Sequence, residues 1–229
     1  MLGRCYKCGL KPRTEFYPNS SRANGLSSLC KLCSGASSLE RYHRLRWEVL
    51  SYYSESLQCS LCQEAIYEFL ALDHIGGDLV GAGAKDRREI GSGPNLLRWL
   101  KNNHYPPGFR VLCHNCNFRV VTKKPWVLEY QRRWYLKVKA AIFEHYGDQQ
   151  PICACCGEGD PEVLTIDHID GGGAQHRKVT GSGLGFYRWL QKNNYPPGFR
   201  LLCHNCNHGR SQTRTGACPH HQAPGVLIP

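Results

Sequence analysis

The chain has 229 residues, and its 29 Lys and Arg against 18 Asp and Glu give a formal net charge of +11 at neutral pH. No apolar run approaches the ~20 residues of a membrane-spanning helix, which argues against a membrane-spanning protein, while the positive charge favours a polyanionic partner, most commonly nucleic acid. With 24 Gly, 13 Pro and few large aliphatic residues, one large apolar core is hard to build, so the 14 cysteines are the obvious staples for several small modules.

The first segment, residues 1–38, contains two Cys-x2-Cys pairs, Cys5–Cys8 and Cys30–Cys33. Two thiolates separated by two residues occupy two corners of a tetrahedral zinc site, and two such pairs complete the site. We therefore expect a small zinc-binding module at the start of the chain.

The same spacing recurs further along, and six pairs taken in order predict three four-cysteine zinc sites. The alternative is a secreted disulfide framework, but repeated Cys-x2-Cys pairs suit metal better and the chain opens without an apolar leader. We therefore expect structural zinc and an intracellular, reducing compartment. Cys155 and Cys218 are left over, and Cys155 is interpreted as a spare thiol. The predicted ligands are Cys5, Cys8, Cys30, Cys33, Cys59, Cys62, Cys113, Cys116, Cys153, Cys156, Cys203 and Cys206.

A long internal repeat organises the rest of the chain. Residues 91–117 and 181–207 read GSGPNLLRWLKNNHYPPGFRVLCHNCN and GSGLGFYRWLQKNNYPPGFRLLCHNCN, in register at a constant offset of 90 residues. Such agreement exceeds what composition produces and indicates a duplicated module. We assign residues 39–122 to the first copy, 130–212 to the second and 213–229 to a disordered tail.

Each copy has the pattern of a small α+β domain. A helix with apolar and basic residues at helical spacing precedes or opens each copy, from Glu40 in the first and Glu129 in the second. In the second copy, residues 162–169 alternate like a strand that ends at an Asp-His pair, and 185–194 form a short helix. A second short strand over 198–203 leads into a final helix. The predicted fold class is α+β, built from small zinc-stapled modules.

The Asp-His pair and a later Asn suit phosphodiester hydrolysis, which needs an activated water and a cation at the phosphate. His168, at the end of the strand, suits a general base because the unperturbed pKa of histidine is ~6.5. Asp167 can hold a metal ion or orient the imidazole, and Asn207 supplies an amide oxygen of the kind that Mg2+ prefers. The corresponding residues of the first copy are Asp73, His74 and Asn117.

The succession Cys-x2-Cys, Asp-His-Ile and Leu-Cys-x2-Cys-Asn resembles the zinc-stapled branch of the HNH family of ββα-metal nucleases, in both copies. The segment 1–38 is similar to a zinc ribbon often found ahead of such domains. The resemblance implies two tandem ββα-metal domains, with His74 and His168 as general bases. It also implies a catalytic divalent ion, typically Mg2+, distinct from the structural zinc. The ligands that the family pattern assigns to that ion are Asp73, Asn117, Asp167 and Asn207.

The sequence departs from the family pattern at the middle asparagine of the His-Asn-His name. That asparagine usually braces the loop that holds the His, and its positions here are occupied by Gly108 and Gly198. Another residue must therefore brace the loop. Asn103, Asn193 and Asn194 are candidates for this role.

The two copies are not equivalent around the Asp-His pair. The second copy has His176 where the first has a Gly-rich insertion and Asp86. His176 is interpreted either as a contact to phosphate or metal, or as a surface polar residue. Arg177 and Lys178 are expected to contact backbone phosphates, whereas Arg210 contacts phosphate or belongs to a solvated tail. If only one copy cuts, we expect it to be the second.

Two pairs of aromatic residues are interpreted as structural. His114 and His204 lie between zinc cysteines and are expected to face solvent rather than bind metal, because each zinc already has four thiolates. Trp99 and Trp189 lie on the short helix of each copy, and they are expected to pack in the core rather than to stack on bases.

The sequence thus predicts a metal-dependent DNA endonuclease that acts on double-stranded DNA. Two modules in one chain make a monomeric pseudo-dimer, which cuts both strands if both copies work and nicks if only one does. The alternative is a non-catalytic, zinc-dependent nucleic-acid-binding or ribonucleoprotein assembly protein, since zinc modules and positive charge serve that role equally well.

Overall fold

The computed structural model describes residues 1–75, 91–122, 129–148, 150–213 and 215–221. These residues form two-stranded antiparallel sheets and helices, a mixed α+β architecture compatible with small zinc-stapled modules. The chain divides into two compact units. Among the described residues, the first unit contains 1–52 and 91–106, and the second contains 53–75 and those from 107 to 221. The boundary therefore passes through the segment that the sequence assigns to the first copy.

The first unit opens with two small sheets around a cysteine-lined core. Its strands are β1 (Leu2–Cys5), β2 (Gly9–Pro12), β3 (Phe16–Pro18) and β4 (Leu26–Cys30), with a 3-10 helix at Arg13–Glu15. The strands β1 and β2 pair with each other, as do β3 and β4. The buried core consists of Cys5, Phe16, Leu26 and Cys30. The core is small, and its four-cysteine group could hold a metal ion that adds to its stability.

Helices α1 (Lys31–Tyr53) and α2 (Pro94–Asn102) complete the described part of the first unit. The helix predicted from Glu40 begins earlier, at Lys31, directly after β4. Gly35 costs a helix interior about 1 kcal/mol relative to Ala, but a helical first turn brings Cys33 back beside Cys30 in the four-cysteine group. The demands of that group therefore outweigh local helix propensity.

The second unit contains the same strand–strand–helix arrangement twice. The first consists of β5 (Leu70–His74), β6 (Phe109–Cys113) and α3 (His114–Thr122). Helix α4 (Glu129–Tyr146) lies between the first and the second arrangement in the chain. The second consists of β7 (Leu164–His168), α5 (Gly173–Thr180), α6 (Leu184–Lys192), β8 (Phe199–Cys203) and α7 (His204–Gln212). The strands and helices predicted for the second copy are thus confirmed, whereas the segment between β7 and α6, predicted as a loop, contains the helix α5.

Both strand pairs share one register, which fixes the Asp-His pairs. Asp73 lies opposite Arg110, and Asp167 lies opposite Arg200. The following residues, His74 and His168, each face a phenylalanine across the sheet. Because successive side chains of a strand point to opposite faces, the Asp and His of each pair serve different sides of the sheet.

The two arrangements pack against each other through α3 and α7 with internal two-fold pseudosymmetry. The main-chain N–H of Asn115 donates to Oδ1 of Asn205 at 2.9 Å, and the N–H of Asn205 donates to Oδ1 of Asn115 at 2.9 Å. His114 stacks on His208 at 4.4 Å between ring centroids, and Phe118 stacks on His204 at 4.0 Å. A shift of 90 residues between the copies exchanges Asn115 with Asn205, and it turns the His114–His208 pair into the His204–Phe118 pair. The same surface of each copy therefore contacts the other, as in an isologous dimer interface.

The expectation that His114 and His204 face solvent is therefore wrong. Both side chains lie in the interface between α3 and α7, where they stack on aromatic partners. Burial lowers the pKa of His204 to about 3, so this imidazole is neutral at physiological pH. The Cys-His-Asn-Cys segment thus serves both the metal site and the packing of one copy on the other.

We expect Asn115→Ala and Asn205→Ala to destabilise the protein by similar amounts. Each change removes the acceptor of a buried main-chain N–H, which costs about 1–3 kcal/mol. Urea unfolding of the zinc-loaded protein measures both values, and Asn193→Ala is the control because its exposed side chain bonds only locally, to the carbonyl of Trp189. A loss confined to one of the two buried asparagines would contradict the pseudosymmetric interface.

Candidate metal centres and candidate catalytic site

The three predicted groups of four cysteines are brought together in the structure. Within each group, all ligand atoms lie within 4.8 Å of one another. The Sγ–Sγ distances include 3.6 Å for Cys8–Cys30, 3.6 Å for Cys62–Cys113 and 3.8 Å for Cys156–Cys203. A tetrahedral zinc ion with Zn–S bonds of ~2.3 Å separates its sulfurs by about 3.8 Å, so these groups could each hold zinc. The members are Cys5, Cys8, Cys30 and Cys33; Cys59, Cys62, Cys113 and Cys116; and Cys153, Cys156, Cys203 and Cys206.

The second unit builds its two cysteine groups by a common local geometry. The second strand of each pair ends at a cysteine, and the helix begins at the next residue, so the following cysteine lies in the first helical turn. The N–H of Cys116 then donates to Sγ of Cys113, and the N–H of Cys206 to Sγ of Cys203, each at 3.4 Å. Such N–H···S bonds favour the thiolate form, which is the form that binds metal.

Crowding of the thiols is consistent with a cation at each centre. Hydrogen bonding with Cys5 raises the pKa of Cys8 to about 12, and hydrogen bonding with Cys153 raises that of Cys203 to about 12. Burial raises the pKa of Cys113 to about 11. Main-chain hydrogen bonds oppose burial at Cys5 and lower its pKa to about 6, so the four thiols do not all keep their protons. Full deprotonation of the raised members requires a divalent cation to balance their charge, which is the role zinc plays in four-cysteine sites.

The Asp side chains of the two Asp-His pairs are held by arginines. Oδ2 of Asp73 accepts a hydrogen bond from Nε of Arg110 at 2.8 Å. Oδ2 of Asp167 accepts from Nε of Arg200 at 3.0 Å and from Nη1 of Arg210. Arg210, which the sequence assigns to phosphate or a solvated tail, instead links α7 to β7. In this arrangement each aspartate braces its strand, and a role in holding a cation stays a prediction.

His168 lies among aromatic rings and a second histidine. Its Nε2 is 2.8 Å from Nδ1 of His176, which α5 carries, and its ring stacks on Phe186 at 5.4 Å between centroids. Gly173 permits this approach, because a Cβ there would lie 3.0 Å from Nδ1 of His168. Burial, followed by the charge of His176, lowers the pKa of His168, so its imidazole is unprotonated at neutral pH. Trp189 packs edge-on against His176 at 4.3 Å.

His168 and Asn207 line one cavity of about 240 Å³. Arg177 also lines it, as does the buried Lys139. The cavity therefore joins a neutral imidazole, an amide and a cationic side chain from β7, α7 and α5. Asp167, on the other face of β7, belongs to a separate set of contacts.

The corresponding residues of the first copy are described only in part. His74 packs against Phe109 at 4.2 Å between ring centroids, and Asn117 is half-buried on α3. Asp86 and the rest of the Gly-rich insertion, residues 76–90, lie outside the described residues. That segment contains no histidine, so the first copy has no sequence counterpart of His176 there.

Main-chain atoms brace the loop after each candidate base. Ile75 donates its N–H to the carbonyl of Gly108 at 2.8 Å, and Ile169 donates to that of Gly198 at 3.0 Å. Gly108 and Gly198 have φ of +104° and +97°, conformations that favour glycine. The glycines at the position of the missing asparagine thus supply a brace through their own carbonyls. Asn103 and Asn193 instead bond the carbonyls of Trp99 and Trp189 within their helices.

Lys139 is a buried cation that sequence reasoning missed, because its helix carries two lysines and two arginines with nothing to distinguish this one. Its Nζ donates to the carbonyls of Pro161 at 2.7 Å and Glu162 at 3.4 Å, and lies 4.9 Å from the ring centroid of Phe143. Burial lowers the pKa of Lys139 to about 8. Since the unfolded value is ~10.4, the unfolded chain binds the extra proton between these two pH values.

We therefore expect stability to rise with pH through the window from about 8 to about 10.4, by up to about 3 kcal/mol, because folding sheds the Lys139 proton there. Urea unfolding of zinc-loaded wild type and Lys139→Met across this window measures the effect. The wild-type rise should exceed that of the variant, which retains every cysteine and tyrosine. Parallel pH profiles in the two proteins would show that Lys139 keeps its ordinary pKa.

Comparison of the chain with family models, curated proteins and solved structures finds no match in any of the three. Among the helices of the described residues, none combines the length and apolar character needed to cross a bilayer.

Proposed function

We propose that the protein is a metal-dependent endonuclease of the HNH type whose working site lies in the second copy. The observation that carries this proposal is the cavity shared by His168, Asn207 and Arg177. A base, a cation ligand and a phosphate contact are the groups that phosphodiester hydrolysis requires together. The two strand–strand–helix arrangements, each ending in a four-cysteine group, support the same assignment.

His168 would accept the proton of the attacking water. Its lowered pKa keeps the imidazole neutral, and the hydrogen bond with His176 fixes the ring. His176 is therefore a positioning residue in this proposal, and Trp189 packs against it to limit its movement.

A divalent ion such as Mg2+, when bound, would polarise the scissile phosphate and stabilise the charge that develops on it. The half-buried Asn207 fits such an ion, since an amide oxygen is a hard ligand. Asp167 fits less simply, because its Oδ2 is held by Arg200 and Arg210. Asn207, which lines the cavity with His168, would therefore hold the ion, whereas Asp167 lies on the other face of β7 and stays a predicted ligand.

Charge supports nucleic acid as the substrate. The net charge is +11, and Arg177 and Lys178 lie on the same exposed stretch of α5, beside the cavity that Arg177 lines. Cationic side chains that contact backbone phosphates position a duplex without reading its sequence. We therefore propose double-stranded DNA as the substrate, bound by a monomer.

The alternative function is non-catalytic nucleic-acid binding or ribonucleoprotein assembly. The ion pairs of Asp73 and Asp167 favour it, because they give both aspartates a structural role that needs no catalysis.

The test is cleavage of supercoiled plasmid by zinc-loaded protein in Mg2+, with duplex binding measured in parallel in Ca2+. The endonuclease predicts nicked or linear product in Mg2+ that grows with time. Duplex, junction and single-strand binding without cleavage in Mg2+ or Mn2+ would reject it in favour of the assembly function.

A further inference from the structure

A fourth group of metal-binding side chains surrounds Cys206. Its members are Cys155, Cys206, Cys218 and His220, whose ligand atoms all lie within 4.8 Å of one another. Nδ1 of His220 is 3.4 Å from Sγ of Cys206, 3.5 Å from that of Cys218 and 3.8 Å from that of Cys155. In a tetrahedral zinc site with Zn–S of ~2.3 Å and Zn–N of ~2.0 Å, sulfur and nitrogen are about 3.5 Å apart. The four atoms therefore have the spacing of a zinc ligand set.

The segment after α7 folds back to deliver Cys218 and His220. Oγ1 of Thr213 donates to the carbonyl of Ala217 at 2.8 Å, and a 3-10 helix, Pro219–His221, follows the buried Cys218. The ring of His220 packs on Phe69 at 4.9 Å between centroids. Residues 215–221, which the sequence assigns to a disordered tail, thus have defined contacts. One hydrogen bond and one 3-10 helix are few contacts to fix this path, which points to a metal as the anchor.

Gly209 makes room for the returning segment. A Cβ at this position on α7 would lie 2.4 Å from Cε1 of Phe69 and 3.1 Å from the side chain of Pro219. In the first copy the corresponding position is Arg119, which pairs with Asp160 instead. The second copy therefore differs from the first at the point where Phe69, on which the His220 ring packs, approaches α7.

We propose that the third four-cysteine site is one half of a binuclear zinc cluster. Cys206 bridges two zinc ions: one completed by Cys153, Cys156 and Cys203, the other by Cys155, Cys218 and His220. A thiolate has lone pairs enough to bind two ions. Six thiolates and a neutral imidazole around two Zn2+ leave about the same charge, −2, as one Zn2+ with four thiolates.

The nitrogen ligand of the second zinc ion is His220 and not the adjacent His221. Its Nδ1 lies within 3.8 Å of all three sulfurs of the second centre. His221 instead places Nε2 3.3 Å from Sγ of Cys155. That contact suits a hydrogen bond to a bound thiolate, which supports the ligand without occupying a coordination position.

The second zinc would stabilise the candidate catalytic site indirectly. It anchors a segment whose Gly216 carbonyl accepts a hydrogen bond from Nε of Arg210 at 2.9 Å. Arg210 in turn pairs with Asp167. Cys59 and Cys62 align with Cys153 and Cys156 at an offset of 94 residues, because the first copy has four extra residues in its Gly-rich insertion. This alignment places Leu61 at the position of Cys155, so the first copy cannot form the same centre.

The deciding measurement is the zinc content of the full chain, by native mass spectrometry checked by elemental analysis. We expect four zinc ions in wild type. Cys155→Leu, which reproduces the residue of the first copy, and Cys218→Ser should each hold three and stay folded. His220→Ala should lose the fourth ion far more readily than the matched His221→Ala. Three ions in wild type, or four in Cys155→Leu, would overturn the proposal.

Cadmium replacement tests the bridge itself. The protein reconstituted with 113Cd should give four NMR signals, two of which are split by each other through the Cys206 sulfur. Four unsplit signals would show two separate centres and reject the shared thiolate. This result is independent of cleavage activity, so it stands or falls apart from the proposed nuclease.

Discussion

His168→Ala should slow plasmid cleavage by about 10²–10⁴-fold, the usual contribution of a general base. The imidazole lines the cavity with Asn207 and is held by His176, so its removal takes the proton acceptor from the site. The matched change, His74→Ala, should leave most of the activity, because residues 76–90 of the first copy offer no second histidine. Initial rates of supercoiled-plasmid loss in Mg2+ measure both.

Zinc content and unfolding profiles must match wild type in both variants, so that misfolding is not mistaken for lost chemistry. His168→Ala leaves a space among Phe186, Phe199 and His176, and some loss of stability is expected there. Equal losses in His74→Ala and His168→Ala would show that both copies cut. A large loss in His74→Ala alone would assign the reaction to the first copy.

Removal of zinc should unfold the protein. The cores are small, and structural zinc contributes about 10–16 kcal/mol of apparent binding free energy in comparable small modules at neutral pH. Most of the net stability of a domain of this size, about 5–15 kcal/mol, therefore depends on the metal. A tight chelator should abolish near-ultraviolet circular dichroism and protease resistance, and added zinc should restore both.

A pair of cysteine variants localises this effect. Cys113→Ser removes a ligand at the junction of β6 and α3, and α3 packs on α7 through Asn115 and Asn205. The Cys113→Ser variant should therefore lose folded structure throughout the second unit. Cys8→Ser affects a group in the first unit and should leave the second folded. A metal-free chain that retains native circular dichroism would contradict a zinc-dependent fold.

Much of the fold follows from local sequence signals. The register of the repeat and the Cys-x2-Cys spacing predict which cysteines meet, and the structure brings together all three groups. The alternation of β7 and the short apolar run of β8 place both strands within about two residues of their observed bounds. Such features are predictable for two reasons. The strands depend on residues close in the chain, and the cysteine groups depend on the four ligands that a structural zinc ion requires.

Contacts between distant segments escape this reasoning. Nothing local distinguishes His204 on the α3–α7 interface from a solvent-facing histidine, because its partner Phe118 lies in the other copy. Arg210 likewise pairs with Asp167 only once α7 packs on β7. Cys155 and Cys218 look unpaired because the ligand they share, Cys206, already belongs to another site. Counting Cys-x2-Cys pairs assigns each cysteine to one metal site, whereas a bridging thiolate is a ligand of two sites.

We propose that one site per chain, in the second copy, hydrolyses the phosphodiester bond. A time course of supercoiled plasmid with zinc-loaded wild type in Mg2+ tests it most directly. One working site predicts that nicked circles accumulate first and that linear plasmid appears only later, from second independent cuts. Linear plasmid that forms from the start at the rate of nicking, or no product at all, would contradict the claim.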